Sequence, residues 1–134
     1  MSTWFERTLS PHADRAYAVL RIVAGALFSF HGMQKILGLF TTTASPALFT
    51  QRWFGGAIEL ACGLLVAVGF FTRPAAFLAS GTMAVAYFQF HWKLQLGAQI
   101  LPIVNKGELA VVYCFVFLYI ACKGAGPWSL DRRR

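Results

Sequence analysis

The chain has 134 residues, of which 57% are hydrophobic and only 13% charged, and its net charge is +7. Soluble domains carry roughly 25% charged residues, and one core of this size cannot bury so many apolar side chains. An ordinary soluble fold is therefore excluded, and a single domain in a lipid bilayer is indicated. The basic residues are scattered singly or gathered at the last three positions, so no basic face forms and nucleic acid is excluded as a partner.

Four apolar segments follow a mixed leader that ends near Arg15. Each is about 17 to 23 residues long, the length that a helix needs to cross a bilayer. A helix satisfies its own backbone hydrogen bonds in lipid, which a lone strand does not. The sequence therefore predicts one all-α domain over residues 1–134, an integral membrane antiparallel four-helix bundle. Its helices are expected at about 16–38, 54–71, 74–92 and 107–123.

The basic residues predict the orientation of this bundle. With four spans, both termini and the turn at Arg73 share one side of the membrane, and that side carries eight of the twelve basic residues. Lysine and arginine are enriched in cytoplasmic loops. We therefore expect both termini to lie in the cytoplasm.

Antiparallel threading should gather polar side chains in one layer near the outer face. Ionisable groups at membrane depth are functional candidates by default, because burying them is costly. The candidate ligand-binding residues are His31, Lys35, Glu59, Gln89, His91 and Glu108. Of these, Glu59, Glu108 and His31 are candidate catalytic residues, since carboxylates beside an imidazole transfer protons near neutral pH. Glu59 should pair with Lys35 or His31, or else carry a proton.

Other interpretations of the same residues stay open. An ion-pair network that only holds the helices in register is one. Two His and two Glu would suit zinc or iron, but HxxxH and ExxH spacings are absent and Lys35 would repel a cation, so no metal site is predicted. At the inner end, Arg21, Arg73 and Asp131 are expected to form structural ion pairs that tie the C-terminal tail under the bundle.

Four stretches resemble the DoxX family of small bacterial membrane proteins: LRIVAGALFSFHGMQKILG, GGAIELACGLLVAVGFFTRPAA, MAVAYFQFHW and NKGELAVVYCFVFLYIACKGAGPWSLD. The HGxxK, GxxE-to-GxxTR and GAGPWSLD elements within them carry the resemblance. It implies a four-helix protein of the bacterial inner (plasma) membrane. It also implies that the family's characteristic polar positions are His31, Lys35, Glu59, Arg73, His91, Glu108 and Asp131. Some relatives are described as the membrane subunit of a thiosulfate:quinone oxidoreductase.

The leading hypothesis is a membrane subunit of a redox system, with a quinone-like or other small ligand in the polar layer near the periplasmic face. The chain has no flavin, haem or iron–sulfur motif, so a redox partner protein or a diffusible donor would supply the electrons. Whether the chain is itself an enzyme stays open. Besides the lipid bilayer, a redox partner and a second copy of the chain are the candidate partners. The alternatives are a non-catalytic scaffold or assembly factor for a redox or metal-handling partner, and a small transporter.

Overall fold

The computed structural model describes residues 3–133, and within that range the chain is helical with no β-strand. The all-α prediction is thereby confirmed. The α-helices are α1 (Trp4–Leu9), α2 (Ala13–Leu37), α3 (Gln51–Val68), α4 (Thr72–Ala86), α5 (Pro102–Asn105) and α6 (Glu108–Lys123). A π-helical turn, Tyr87–Trp92, continues α4, and short 3-10 turns cover Ser10–His12, Gly97–Ile100 and Asp131–Arg133.

The long helices end where the sequence supplies capping residues. The hydroxyl of Thr50 accepts a hydrogen bond of 3.3 Å from the Trp53 amide and so caps the start of α3. Gly38 after α2 and Gly69 after α3 have φ angles of 65° and 72°, a left-handed conformation that glycine adopts without strain. These ends reverse the chain, and the long helices therefore alternate in direction.

The four long helices pack as two close pairs, α2 with α3 and α4 with α6, and fewer contacts join the pairs. Glycines bring the backbones of α2 and α3 together. A Cβ atom on Gly25 would lie 2.5 Å from the Ala67 nitrogen, and one on Gly63 would lie 2.5 Å from the Ser29 nitrogen. Such close approach is typical of helices that associate in membranes.

Helix length and composition support one membrane span within residues 3–133. The continuous helical run Trp4–Leu37 has 34 residues and is long and apolar enough to cross a bilayer. The other helices are shorter or more polar: α4 has 15 residues, α6 has 16, and α3 has 18 but begins with Gln51 and Arg52. The bundle of four spans therefore stays a prediction.

At the end of the bundle that holds Val68, Thr72 and Lys123, a fully buried arginine joins two segments. This end is called the inner end and the opposite one the outer end, after the orientation predicted from the basic residues. The Nη1 atom of Arg21 donates to the carbonyls of Val66 and Ala67, at 2.8 and 2.7 Å, in the last turn of α3. Its Nη2 atom donates to the carbonyls of Pro127 and Trp128, at 3.1 and 2.8 Å, in the C-terminal tail. One guanidinium thus satisfies carbonyls that a helix end leaves without intrahelical partners.

The other two inner charges also bond to helix ends. Arg73 donates to carbonyls in the last turn of α6, at 2.9 Å to Ala121 and 2.5 Å to Cys122. The carboxylate of Asp131 accepts from the Thr72 amide and hydroxyl, at 2.9 and 2.7 Å, at the start of α4. The sequence hypothesis paired Asp131 with Arg21 or Arg73. The tail is tied down as expected through these hydrogen bonds to helix ends, where the dipole favours each charge, and the ion pairs of Asp131 stay a prediction.

Candidate ligand-binding site

A cavity of about 870 Å³ lies among α2, α3, α4 and α6, toward their outer ends. This is within the range that holds drug-sized ligands. Its wall is mainly apolar, and its polar lining residues are His31, Lys35, Gln51, Arg52, Glu59, Thr82, His91, Lys106 and Tyr113. Four of the six candidate ligand-binding residues are thus brought together: His31, Lys35, Glu59 and His91.

An ion pair between a buried carboxylate and a half-buried lysine forms the centre of the polar lining. The Lys35 Nζ atom lies 2.7 and 2.8 Å from the two carboxylate oxygens of Glu59. The Glu59 side chain is 5% exposed and that of Lys35 is 33% exposed. Gly56 makes room for the pair, because a Cβ atom there would lie 2.7 Å from the Cβ atom of Lys35. The ammonium compensates a carboxylate that would otherwise be costly to bury.

The imidazole of His31 lies beside aromatic rings in the cavity wall. Its ring centroid is 6.3 Å from that of Tyr113, with the two planes nearly perpendicular. Tyr113 in turn packs against Phe28, with 5.5 Å between the ring centroids. One wall of the cavity is therefore aromatic, and a flat apolar ring would pack well against it.

His91 lies in the π-helical turn that follows α4. Its Nδ1 atom is 3.4 Å from the carbonyl oxygen of Asn105. Asn105 is buried and donates to the Tyr87 hydroxyl at 3.1 Å and to the Gln99 carbonyl at 2.9 Å. Connection 93–106 is therefore bonded to the π turn that carries the histidine. Single π turns inside helices are frequent at functional sites.

Two predicted residues, Gln89 and Glu108, do not line the cavity. Gln89 is exposed, and its side chain bonds that of Gln51, which does line it. Glu108 is exposed in the first turn of α6, where the cavity-facing positions are Leu109, Ala110 and Tyr113. The sequence placed Glu108 at the correct end of the bundle, but the rotation of α6 about its axis turns this position away from the cavity.

Five polar lining residues were not among the predicted site residues: Gln51, Arg52, Thr82, Lys106 and Tyr113. In the sequence, Arg52 indicates only the membrane orientation, Lys106 lies beside Glu108 in the expected outer polar layer, and Tyr113 belongs to an apolar run. With them, the lining carries three Lys or Arg residues against one carboxylate. Among residues 3–133, no three His, Cys, Asp or Glu side chains gather closely enough to hold a metal ion.

Residues 16–92, more than half of the chain, match the model of the DoxX family. The chain belongs to the DoxX family. This DoxX protein is 39% identical to an uncharacterized protein of Haemophilus influenzae over 123 residues, which cover 87% of this chain and 88% of that protein. It is 28% identical to the inner membrane protein YphA of Escherichia coli, over 86% and 87% of the two chains.

A further relative is an uncharacterized membrane protein of Mycobacterium tuberculosis, 27% identical over 95% of this chain and 86% of its own. No solved structure is significantly similar to this DoxX chain. The family match and these relatives identify it as a membrane protein, for which the lipid bilayer is the environment.

Proposed function

We propose that this DoxX protein binds a quinone in the outer cavity and serves as the membrane subunit of a redox system. The observation that carries the proposal is the Lys35–Glu59 pair beside His31 in an otherwise apolar cavity. A quinone head group is a flat apolar ring with two carbonyl oxygens. The aromatic wall suits the ring, while imidazole N–H groups and the Lys35 ammonium suit the oxygens.

The proposal includes four membrane spans, with both termini in the cytoplasm of a bacterial cell and the cavity near the periplasmic face. Large apolar side chains on the outside of every long helix support it. Leu27, Leu64, Phe77 and Phe115 are 48%, 45%, 68% and 64% exposed on α2, α3, α4 and α6 respectively. Four apolar outer surfaces are what a bundle surrounded by lipid requires, and basic side chains at the helix ends reach the interfaces by extending outward.

In this scheme the chain handles protons and a partner supplies electrons. Reduction of a quinone to a quinol consumes two electrons and two protons. Glu59 is the carboxylate in the lining, and it exchanges protons between the outer solution and a quinone oxygen held by His31 or Lys35. A redox partner protein or a diffusible donor provides the electrons.

The proposal is tested by thermal unfolding of the detergent-solubilised protein with a tail-less, water-soluble benzoquinone. A ligand that binds only the folded state stabilises it, by about 2.7 kcal/mol at one hundred times Kd. We expect the quinone to raise the Tm of the wild type and of His12→Ala, whose exposed histidine lies at the inner end. His31→Ala should lose most of this rise.

An equal rise in His31→Ala and His12→Ala would remove His31 from the site. A wild type that responds to no quinone would overturn the quinone assignment. The scaffold hypothesis would then become the leading one, and it predicts a partner protein that co-purifies in mild detergent.

A further inference from the structure

The cavity is elongated along α4. Its lining extends on this helix from Phe77 to Ala86 and continues through the π turn to His91. At 1.5 Å per residue, the distance from Phe77 to His91 along the axis is about 20 Å. The basic lining residues lie at the outer end of this path, and the α4 residues toward the inner end are apolar. The cavity is therefore a slot with one polar end and one apolar end.

The apolar part of the slot is open toward the outside of the bundle. Phe77, Leu78 and Val85 line it and are nevertheless 68%, 49% and 48% exposed. Phe77, Gly81 and Val85 are four residues apart, so they form one stripe along α4. In a membrane protein this stripe faces the hydrocarbon region. The slot therefore opens sideways, into the acyl chains of the bilayer.

Two glycines leave space at this opening. Gly55 on α3 and Gly81 on α4 both line the slot, and a Cβ atom added to either would meet no atom within 4 Å. This distinguishes them from Gly25 and Gly63, where an added Cβ would collide with backbone. Close helix packing does not require glycine at positions 55 and 81, whereas a passage between α3 and α4 does benefit from it.

We propose that the slot is a tail site: it takes the hydrocarbon chain of a membrane-dissolved ligand, which enters sideways between α3 and α4 past Gly55 and Gly81. This rests on the proposed function, because the head group of the same molecule occupies the polar end. The ligand class is thereby narrowed to lipid quinones with a long tail. Such a ligand reaches the site from the bilayer and need not cross the aqueous phase.

The test compares two benzoquinones with the same head group, one without a tail and one with a decyl tail. Gly81→Trp fills the slot from α4, at a position where an added Cβ atom meets nothing within 4 Å, and Gly55→Leu obstructs it from α3. Val112→Trp is the matched control, because Val112 is 57% exposed on α6 and does not line the slot. The new side chain clashes with the tail, so the decyl quinone should bind Gly81→Trp at least about tenfold more weakly than it binds the wild type.

Gly81→Trp and Gly55→Leu should weaken the binding of the decyl quinone more than that of the tail-less quinone. A Tm without ligand equal to that of Val112→Trp shows that the variants are folded. Equal affinity of Gly81→Trp, Gly55→Leu and the wild type for the decyl quinone would overturn the tail site and leave the head site intact. If the wild type binds neither quinone, native mass spectrometry of protein extracted from membranes tests whether a tailed lipid occupies the slot. A tailed lipid retained by the wild type and lost from Gly81→Trp would support the tail site alone, and its absence from both would reject it.

Discussion

The side chain of Glu59 is buried among the helices, and the structure gives it a specific partner. Both carboxylate oxygens are within 2.8 Å of the Lys35 Nζ atom. Removing one partner from a buried ion pair leaves an uncompensated charge, whereas replacing both by apolar groups is far less damaging. Substitution of one residue of the pair should therefore destabilise the protein more than substitution of both.

We predict that Lys35→Met lowers the free energy of unfolding by about 1–3 kcal/mol, because the buried Glu59 loses its counter-charge, while the partial exposure of the lysine limits the loss. The double variant Lys35→Met with Glu59→Leu should regain most of this loss. Denaturant unfolding in detergent measures both. Lys93→Met is the control, since Lys93 is exposed outside the cavity at the same end. A Lys35→Met protein as stable as Lys93→Met would show that the pair contributes little.

The sequence restricted the partner of Glu59 to Lys35 or His31, with a protonated carboxyl as the alternative, but the full lining of the cavity was not predictable. Lys35 follows His31 by four residues, and Glu59 lies near the start of the next helix, so threading alone brings them close. Tyr113 lies in a run of apolar residues, where the sequence does not distinguish an aromatic residue of a cavity wall from one of the core. Glu108 lies outside the cavity because of a helix rotation that tertiary packing sets.

At the scale of the helices, the apolar runs located the four long elements, and local hydrogen bonds set their ends. The first predicted helix began at about residue 16, whereas α2 begins at Ala13 and continues a helical leader. The third was expected as one helix over 74–92, but α4 starts at Thr72, beside the Asp131 carboxylate, and changes to a π turn after Ala86. Contacts with the distant tail and with connection 93–106 accompany the two differences in α4, and a local sequence pattern does not contain these contacts.

The glycines of α2 and α4 predict opposite effects of the same substitution. Gly25→Ala should lower the free energy of unfolding by about 1–3 kcal/mol, because the added methyl group collides with the backbone of α3 and forces the helices apart. Gly81→Ala should be neutral or slightly stabilising, because its methyl group meets nothing and alanine favours helix. Thermal unfolding of both variants in one detergent checks this. Equal losses would contradict the close packing of α2 on α3.

For the whole molecule, the number of spans and the orientation are the main predictions. In a variant free of its three native cysteines, Ser45→Cys in the connection between α2 and α3 should react with a membrane-impermeant maleimide added to cells with a permeabilised outer membrane. Thr8→Cys in α1 should react only after the inner membrane is opened, because the N-terminus is expected in the cytoplasm. The reverse pattern would invert the orientation, and reaction of both sites from outside would contradict a single membrane span between them.

The buried guanidinium of Arg21 also has a consequence for biosynthesis. Two of its four acceptors, the carbonyls of Pro127 and Trp128, lie 106 and 107 residues further along the chain. Until the ribosome has released that segment, a positive charge between α2 and α3 lacks half of its hydrogen bonds. The nascent protein therefore keeps an incompletely bonded guanidinium at this end until residues 127 and 128 have been synthesised, and a chain that stops before residue 127 leaves Arg21 without these two acceptors.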